Sequence, residues 1–334
     1  LAAKPKIFYG RDTELQHILN ILTHDSARIA ILGAGGMGKT SLARAVLHHP
    51  DVDAKYVSRL FVGTESAATS VELAALVGLH IGLKPGIDLT HAVVRYISQG
   101  PRCLLVLDNL ETSWEPMDSR GNVEEFLSLM ADIPHLALII TMRGAERPAK
   151  ISWTRPFLTP LKPLTYEAAL RTFVDIADDS HDIKEVNNLL SLTDHLPLAV
   201  DLIAHLVFYE GCGSVLARWE TERTSMLSHG RTSLDASITL SLSSPRITSL
   251  PGTKDLLSLL SILPDGISDA ALLQSNLPIT NILACRTALL RTALAYTDHK
   301  KQLKLLAPVR EYIFSLDPPT WPLIQPLQKH FHQL

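Results

Sequence analysis

The sequence predicts a three-layer α/β domain with a mainly parallel sheet, followed by a helical domain and a winged-helix domain. Short apolar runs alternate with helical stretches between residues 28 and 161, which is typical of a parallel sheet covered by helices. Beyond residue 163 the apolar residues follow helical spacing, and strand-like pieces return only near residues 293–306. We therefore expect domains at 1–162, 163–229 and 230–316, and a connector at 317–334.

The strand candidates of the first domain are nearly continuous apolar runs, as expected for strands that are buried on both faces. Four of them are RIAIL (28–32), RLFVG (59–63), CLLVLD (103–108) and LALIIT (136–141). A fifth run, FLTPL (157–161), contains a proline and is expected at an edge of the sheet.

The rest of the chain shows mainly helical patterns. Thr165 is the predicted N-cap of a helix whose apolar stripe includes Leu170, Phe173 and Ala177. The polar stretch 226–233 is interpreted as a linker. Further helices are predicted near 182–193, 198–210, 213–222, 234–243, 252–262, 268–275 and 281–291, and a hairpin is predicted from ALAYT (293–297) and QLKLL (302–306).

Composition excludes several classes of protein. The chain has 334 residues, 46% hydrophobic and 19% charged, so it can bury more than one core. A formal net charge of -3 offers no electrostatic reason to expect a nucleic-acid partner. Only 3 cysteines occur and no apolar run reaches the roughly 20 residues of a membrane span, so we expect an intracellular, cytoplasmic protein. The first residue is Leu, from which we expect a segment of a longer protein.

A glycine-rich motif carries the strongest functional signal. Residues 33–41, GAGGMGKTS, match GxxxxGK[ST] between a predicted strand and a predicted helix, as a phosphate-binding P-loop requires. Backbone N–H groups of such a loop surround phosphates, the lysine meets the β- and γ-phosphates, and the threonine hydroxyl ligates Mg²⁺. A dinucleotide-type GxGxxG is a weaker alternative, which the GKT ending disfavours. The nucleotide-binding candidates here are Gly33, Gly35, Gly36, Met37, Gly38, Lys39, Thr40 and Ser41.

Two later strand ends supply the remaining catalytic candidates. Asp108 ends an apolar run and is predicted to hold Mg²⁺ through water, together with Thr40. Glu111 could position the attacking water and accept its proton, whereas Asn109 could only position it. Arg143 follows the next strand and could contact a γ-phosphate, although an arginine after a strand is also common on a plain surface. The predicted catalytic set is Lys39, Asp108, Glu111 and Arg143.

The order of the motifs resembles that of the NB-ARC branch of the STAND ATPases. FYGRDTEL (8–15) resembles the family's entry motif, GAGGMGKT its Walker A and LLVLDNL its Walker B. IITMR is similar to its sensor-1 segment, and HLPLAV (195–200) to its GLPLA motif. The resemblance covers nearly the whole chain.

This resemblance implies a switch whose exchange of ADP for ATP opens the domains and exposes surfaces for homo-oligomerisation. It implies that Tyr9, Gly10 and Arg11 lie against the base and ribose, and that Leu196 and Pro197 lie near the adenine. A proline at this point also fits the first turn of a helix. Flanking effector and repeat domains are expected outside this segment.

Two departures from the family pattern favour a slow ATPase or a non-hydrolysing scaffold. Asn109 stands where the family usually has a second aspartate. Leu306, Ala307 and Pro308 stand where Met-His-Asp is usual, so the histidine that touches the β-phosphate is missing.

Other functions receive less support from the residues. An AAA+ remodeller or a small-molecule kinase is a further alternative, and no acceptor pocket indicates the kinase. A guanine-reading NKxD motif is absent from the sequence. A winged-helix domain can also bind DNA through one helix in the major groove. The candidate for that helix here, NILACRTALL, carries a single arginine, Arg286, so no nucleic-acid partner is expected.

Overall fold

The computed structural model describes residues 2–24, 26–84, 86, 88–229 and 232–332. These residues form two compact units. The first contains the chain up to Gly33 and then Gly38–Leu161, and the second contains Ala34–Met37 and the chain from Lys162 onward.

The first unit is built on a parallel sheet of four strands in the order β1-β4-β3-β2. The strands are β1 (Arg28–Gly33), β2 (Ser58–Gly63), β3 (Cys103–Asp108) and β4 (Leu136–Arg143). Their positions confirm the four predicted strands. The register pairs Gly33 with Arg143 and Gly63 with Asp108. All carboxyl ends therefore meet at one edge of the sheet, where open α/β sheets bind ligands.

The predicted fifth strand is wrong. FLTPL contributes one isolated parallel bridge, from Leu161 to Gly33, beside the edge strand β1. Leu161 N donates to Leu32 O at 2.8 Å. The other residues of 157–161 make no bridge to β1. The predicted edge position is right, but the strand does not form.

Seven helices accompany this sheet in the described residues, and most of them cover its faces. The core between the sheet and α4, α5 and α7 contains fully buried side chains such as Leu105, Leu107, Val93 and Leu127. The helices are α1 (Asp12–Leu22), α2 (Lys39–Leu47), α3 (Pro50–Lys55), α4 (Ser70–His80), α5 (Leu89–Gln99), α6 (Glu111–Trp114) and α7 (Met117–Ala131).

The second unit begins with four helices at the predicted places. They are α8 (Tyr166–Ala177), α9 (Ile183–Leu192), α10 (Pro197–Glu210) and α11 (Cys212–Glu222). Thr165 caps α8 as predicted, because its side chain accepts a hydrogen bond from Ala168 N.

The predicted linker at 226–233 is more regular than expected. A 3₁₀ turn (Arg223–Met226) precedes an antiparallel pair, β5 (Ser228–His229) with β6 (Thr232–Ser233). Gly230 and Arg231, also within the predicted linker, lie outside the described residues.

The remaining elements combine helices with a small antiparallel sheet. The helices are α12 (Leu234–Leu242), α13 (Pro245–Thr248), α14 (Gly252–Ser261), α15 (Asp269–Gln274) and α16 (Ile282–Arg291). The strands are β7 (Ile267–Ser268), β8 (Tyr296–Thr297) and β9 (Gln302–Lys304), in the order β7-β9-β8. The predicted hairpin is present but shorter than expected, and the winged-helix assignment of this segment stays a prediction.

The chain continues into α17 (Ala307–Leu316) and α18 (Trp321–His332). The second of these forms within the predicted connector. Pro322 stands in its first turn, where a backbone N–H has no helical partner. Leu323 and Leu327, one turn apart, are both buried, so packing stabilises the helix despite Pro326. Nowhere in the described part of the chain is a helix long and apolar enough to cross a membrane.

Candidate nucleotide-binding site

The glycine-rich loop leads from β1 directly into α2, as the sequence predicts. Gly38 is the N-cap of α2 with φ 83°, a left-handed conformation that glycine adopts without steric cost. Leu42 N is the first helical donor and binds Gly38 O at 3.0 Å. The N–H groups that precede it in the first turn have no helical acceptor, which makes this end of α2 suited to an anion. Ser41 is half-buried in the same turn.

Gly36 lies against the segment that resembles GLPLA. Leu198 N donates to Gly36 O at 3.1 Å, and a Cβ added at Gly36 would lie 2.8 Å from Leu198 Cβ. Pro197 starts α10, and Leu196 is buried as its N-cap. The structure therefore brings the tip of the predicted P-loop next to the two residues predicted to lie near the adenine. Of the other tip residues, Gly35 is half-buried and Met37 is buried.

Lys39 is the buried cation of the site. Its side chain is only 7% exposed, and Nζ donates to Gly33 O at 3.0 Å. Burial lowers the pKa of Lys39 to about 8. The Arg143 guanidinium acts in the same direction, and the carboxylates of Glu111 and Asp108 act against it. A polyphosphate beside Nζ would relieve the cost of burying this charge.

Thr40 and Asp108 meet at the carboxyl end of the sheet. Thr40 Oγ1 lies 3.0 Å from Asp108 Oδ1 and 3.0 Å from Oδ2. Asp108 is 4% exposed, and burial raises the pKa of its carboxyl group. A hydroxyl and a carboxylate are the hard oxygen donors that Mg²⁺ prefers, so these residues fit the predicted metal. No group of three or more His, Cys, Asp or Glu side chains able to hold a metal occurs among the described residues. A cation here would therefore depend on phosphate oxygens and waters for its other ligands.

Two threonines that the predicted site residues did not include hold Asp108. Thr64, directly after β2, donates through both N and Oγ1 to Asp108 O, at 2.8 and 2.9 Å. Thr141, in β4, donates through Oγ1 to Asp108 Oδ1 at 2.5 Å. Both are buried. The signal in the sequence is a threonine at the carboxyl end of a strand that neighbours β3.

Glu111 and Arg143 form an ion pair. Arg143 Nε donates to Glu111 Oε1 at 3.2 Å, and Arg143 N donates to Oε2 at 3.3 Å. Arg143 is thus not an arginine on a plain surface, because it is held at the carboxyl edge of the sheet. The charges of Asp108, Glu111 and Arg143 all act on the pKa of Lys39. The four predicted catalytic residues therefore lie close together.

The predicted base-contacting residues precede α1. Arg11 is buried as the N-cap of this helix, and its Nη1 donates to Glu14 Oε1 at 3.0 Å. Burial lowers the pKa of Arg11, and Glu14 opposes the shift. Gly10 is exposed with φ 69°, and Tyr9 is half-buried. Contact of these three residues with a base and ribose stays a prediction.

Comparison with known proteins relates the first part of the chain to a family of NTPases. Residues 2–151 match a family model described as Novel STAND NTPase 1. No curated protein matches the sequence significantly.

Three solved structures illustrate the similarity of fold. A Walker-type ATPase of Pyrococcus abyssi has a TM-score of 0.62 and 15% identity, covering 92% of this chain and 96% of that one. The Aeropyrum pernix ORC1 protein, solved in complex with DNA, has a TM-score of 0.52 and 15% identity, with coverages of 97% and 95%. The ORC2 protein of the same organism, solved as ADPNP-ADP complexes, has a TM-score of 0.52 and 14% identity, with coverages of 99% and 96%.

These identities show similarity of fold alone. The family model spans the segment from Tyr9 to Arg143, including Lys39 and Asp108, and supports a STAND-type P-loop NTPase. It does not single out the NB-ARC branch. The first 151 residues are therefore similar in sequence to STAND NTPases, and the chain as a whole has the fold of Walker-type ATPases.

Proposed function

We propose that this chain is a STAND-type switch that binds ADP and ATP with Mg²⁺ and hydrolyses ATP slowly to ADP and phosphate. The observation that carries the proposal is the contact of Thr40 Oγ1 with both carboxylate oxygens of Asp108, directly beside the buried ammonium of Lys39. Thr40 and Asp108 would hold the cation, which would neutralise part of the phosphate charge. Lys39 would exchange its bond to Gly33 O for phosphate oxygens.

Adenine is the proposed base. The support is the resemblance of residues 8–15 and 195–200 to motifs that contact the adenosine moiety in NB-ARC proteins. The ORC2 protein of similar fold was solved with ADPNP and ADP. The sequence also lacks a guanine-reading NKxD motif.

The bound nucleotide would also control the conformation of the chain. Nucleotide exchange would control opening of the predicted domains at 1–162, 163–229 and 230–316, and thereby homo-oligomerisation. Support comes from the five motifs in NB-ARC order. Such a switch requires ADP and ATP to differ in their affinity for the two states.

A nucleotide-binding scaffold that does not hydrolyse is the second candidate. Asn109 replaces a carboxylate, and both oxygens of Glu111 accept hydrogen bonds from Arg143. An AAA+ remodeller or a kinase has no comparable support. The ORC1 protein was solved with DNA, but we propose no nucleic-acid partner here, because Arg286 in α16 is paired with Asp269.

The test is to denature the purified protein, identify released nucleotide by chromatography, and follow phosphate release from ATP. The variants are Lys39→Ala and Asp108→Ala, with the exposed Lys254→Ala as control. Stoichiometric ADP and slow phosphate release that Lys39→Ala abolishes would support the ATPase switch. Bound nucleotide without turnover would support the scaffold. Failure to bind adenine nucleotides would overturn both.

A further inference from the structure

One buried residue, Thr141, makes hydrogen bonds to three consecutive residues: the last residue of β3 and the first two of the turn that follows it. Its hydroxyl donates to Asp108 Oδ1 at 2.5 Å and accepts from Asn109 N at 3.0 Å. Its carbonyl oxygen accepts from Leu110 N at 3.0 Å. The side chain is 0% exposed, so no water replaces these bonds readily. One residue of β4 thus determines both the path of the turn and the direction of the carboxylate.

The turn needs this support because its backbone is unusual. Asn109 has φ 64°, a left-handed conformation that asparagine tolerates better than most residues but that still has a cost. The hydroxyl of Thr141 has one hydrogen and accepts readily at its lone pairs. It gives the hydrogen to Asp108 and accepts the N–H of Asn109, so both of its roles in this turn are filled.

The two hydroxyls that reach the Asp108 carboxylate act differently. Thr40 Oγ1 is equidistant from the two oxygens, so it does not fix the rotation of the carboxylate. Thr141 Oγ1 contacts Oδ1 alone among these oxygens, at the shorter distance, so it does fix the rotation. A hydroxyl that ligates a cation offers a lone pair to it and its hydrogen to an acceptor. Thr40 can therefore ligate Mg²⁺ while it still donates to Asp108.

Loss of the Thr141 hydroxyl would remove the bond that fixes this rotation, and the carboxylate would then point less well toward the cation.

We propose that Thr141 is a positioning residue for magnesium: its hydroxyl orients the carboxylate of Asp108 and so sets the affinity of the nucleotide site for Mg²⁺. The proposal rests on the nucleotide-binding function proposed above. Thr141 itself touches neither the cation nor the nucleotide in this role. It acts through Asp108, as outer partners of metal ligands commonly do.

The test is a titration of the full chain with Mg²⁺ in the presence of ADP, with ADP affinity measured by calorimetry at each Mg²⁺ concentration and in EDTA. Thr141→Val keeps the shape of the side chain and removes the hydroxyl. We expect its half-saturating Mg²⁺ concentration to rise about 10-fold, with its affinity for Mg²⁺-free ADP unchanged. Thr141→Ser keeps the hydroxyl and is expected to retain the wild-type value.

Thr64→Val provides the matched control, because it removes a hydroxyl that is equally buried and bonds to the backbone carbonyl of the same Asp108. Its Mg²⁺ shift is expected to be smaller. If Thr141→Val does not fold, Thr141→Cys takes its place, because a thiol is a weak donor. An unchanged Mg²⁺ titration in Thr141→Val, an equal shift in Thr64→Val, or a shift in Thr141→Ser would each overturn the proposal. Failure of the wild type to bind ADP would instead overturn the proposed function.

Discussion

Arg143 binds both carboxylate oxygens of Glu111, one through Nε and the other through its backbone N–H. The two side chains are 17% and 10% exposed, so the pair is largely removed from water. An incoming γ-phosphate would compete with Glu111 for the guanidinium. Arg143, which is predicted to contact the γ-phosphate, is therefore bound to Glu111, which is predicted to position the attacking water.

Removal of the Arg143 side chain should destabilise the chain, because Glu111 would keep a buried charge without its partner. We expect Arg143→Met to lower the free energy of unfolding by about 3 kcal/mol, at the lower end of the cost of breaking a buried pair. Urea denaturation of the ligand-free protein measures this. The double variant Arg143→Met with Glu111→Gln should recover part of the loss. Purely additive effects would contradict the pairing.

Replacement of Glu111 by glutamine should separate catalysis from binding. The amide keeps the size of the carboxylate but cannot take a proton from water, so we expect phosphate release from ATP to fall about 100-fold. Binding of ADP, measured by calorimetry, should stay at the wild-type level. The exposed Glu125→Gln in α7 is the matched control. Wild-type turnover in Glu111→Gln would remove Glu111 from the proposed mechanism.

Nucleotide affinity should depend on pH through Lys39. Its pKa is lowered to about 8 in the ligand-free protein, and a bound polyphosphate would raise it again. Binding then takes up a proton above pH 8. The affinity for ADP should fall about tenfold per pH unit there and be flat below it. Calorimetry between pH 7 and 10 tests this, and Lys39→Met should lose the slope. The same slope in Lys39→Met would assign it to another group.

The lowered pKa of Lys39 should also affect the stability of the ligand-free protein. Between pH 8 and 10.5 the folded state has lost the Lys39 proton while the unfolded state keeps it. The unfolded state binds more protons there, so the free energy of unfolding should rise with pH across this window, relative to Lys39→Met. The rise is at most about 3 kcal/mol. Below pH 8 both states are protonated and the difference should be flat.

Substitution of Gly36 should be more harmful than its backbone conformation alone implies. Gly36 and Gly82 have similar positive φ values, 74° and 76°. A Cβ at Gly36 would lie 2.8 Å from Leu198 Cβ, whereas one at Gly82, which follows α4, would meet nothing within 4 Å. Gly82→Ala should therefore lose only the left-handed strain of about 1 kcal/mol. Gly36→Ala should lose more in urea denaturation and should also weaken ADP binding. Equal losses would show that the contact with Leu198 carries no cost.

Many residues of the candidate site could be chosen from the sequence because local sequence patterns indicate their chemistry. A lysine after a glycine-rich turn, or an aspartate at the end of an apolar strand, can be recognised from the neighbouring residues alone. The sheet order β1-β4-β3-β2 places Thr141 next to Asp108, and this order is not visible in any local pattern. The pairing of Arg143 with Glu111 depends on the same neighbourhood. For this reason the sequence indicated the candidate ligands of phosphate and metal, but not the residues that contact those candidates.

The errors in the fold have local causes. FLTPL has the apolar residues of a strand, but only Leu161 of this segment pairs with β1. The tail after Asp317 contains four prolines, which favour a connector, yet Pro318 and Pro319 precede α18 and Pro322 stands in its first turn, so only Pro326 lies further inside the helix. Buried Leu323 and Leu327 then stabilise that helix. Proline content alone therefore does not distinguish a connector from a helix in this tail.

Asp194 caps a helix that lies more than 100 residues further along the chain. Asp194 Oδ2 accepts a hydrogen bond from Ala307 N, the first backbone donor of α17, which would otherwise have no helical partner. Asp194 has φ 44°, a conformation that asparagine tolerates better than alanine. Asp194→Ala should lower the free energy of unfolding by about 1–2 kcal/mol, because alanine cannot cap the helix and is less stable at this positive φ. Asp194→Asn keeps an acceptor oxygen and should stay close to the wild type. Urea denaturation of the two variants decides the matter, since an asparagine as damaging as alanine would show that the carboxylate acts through its charge rather than as a cap.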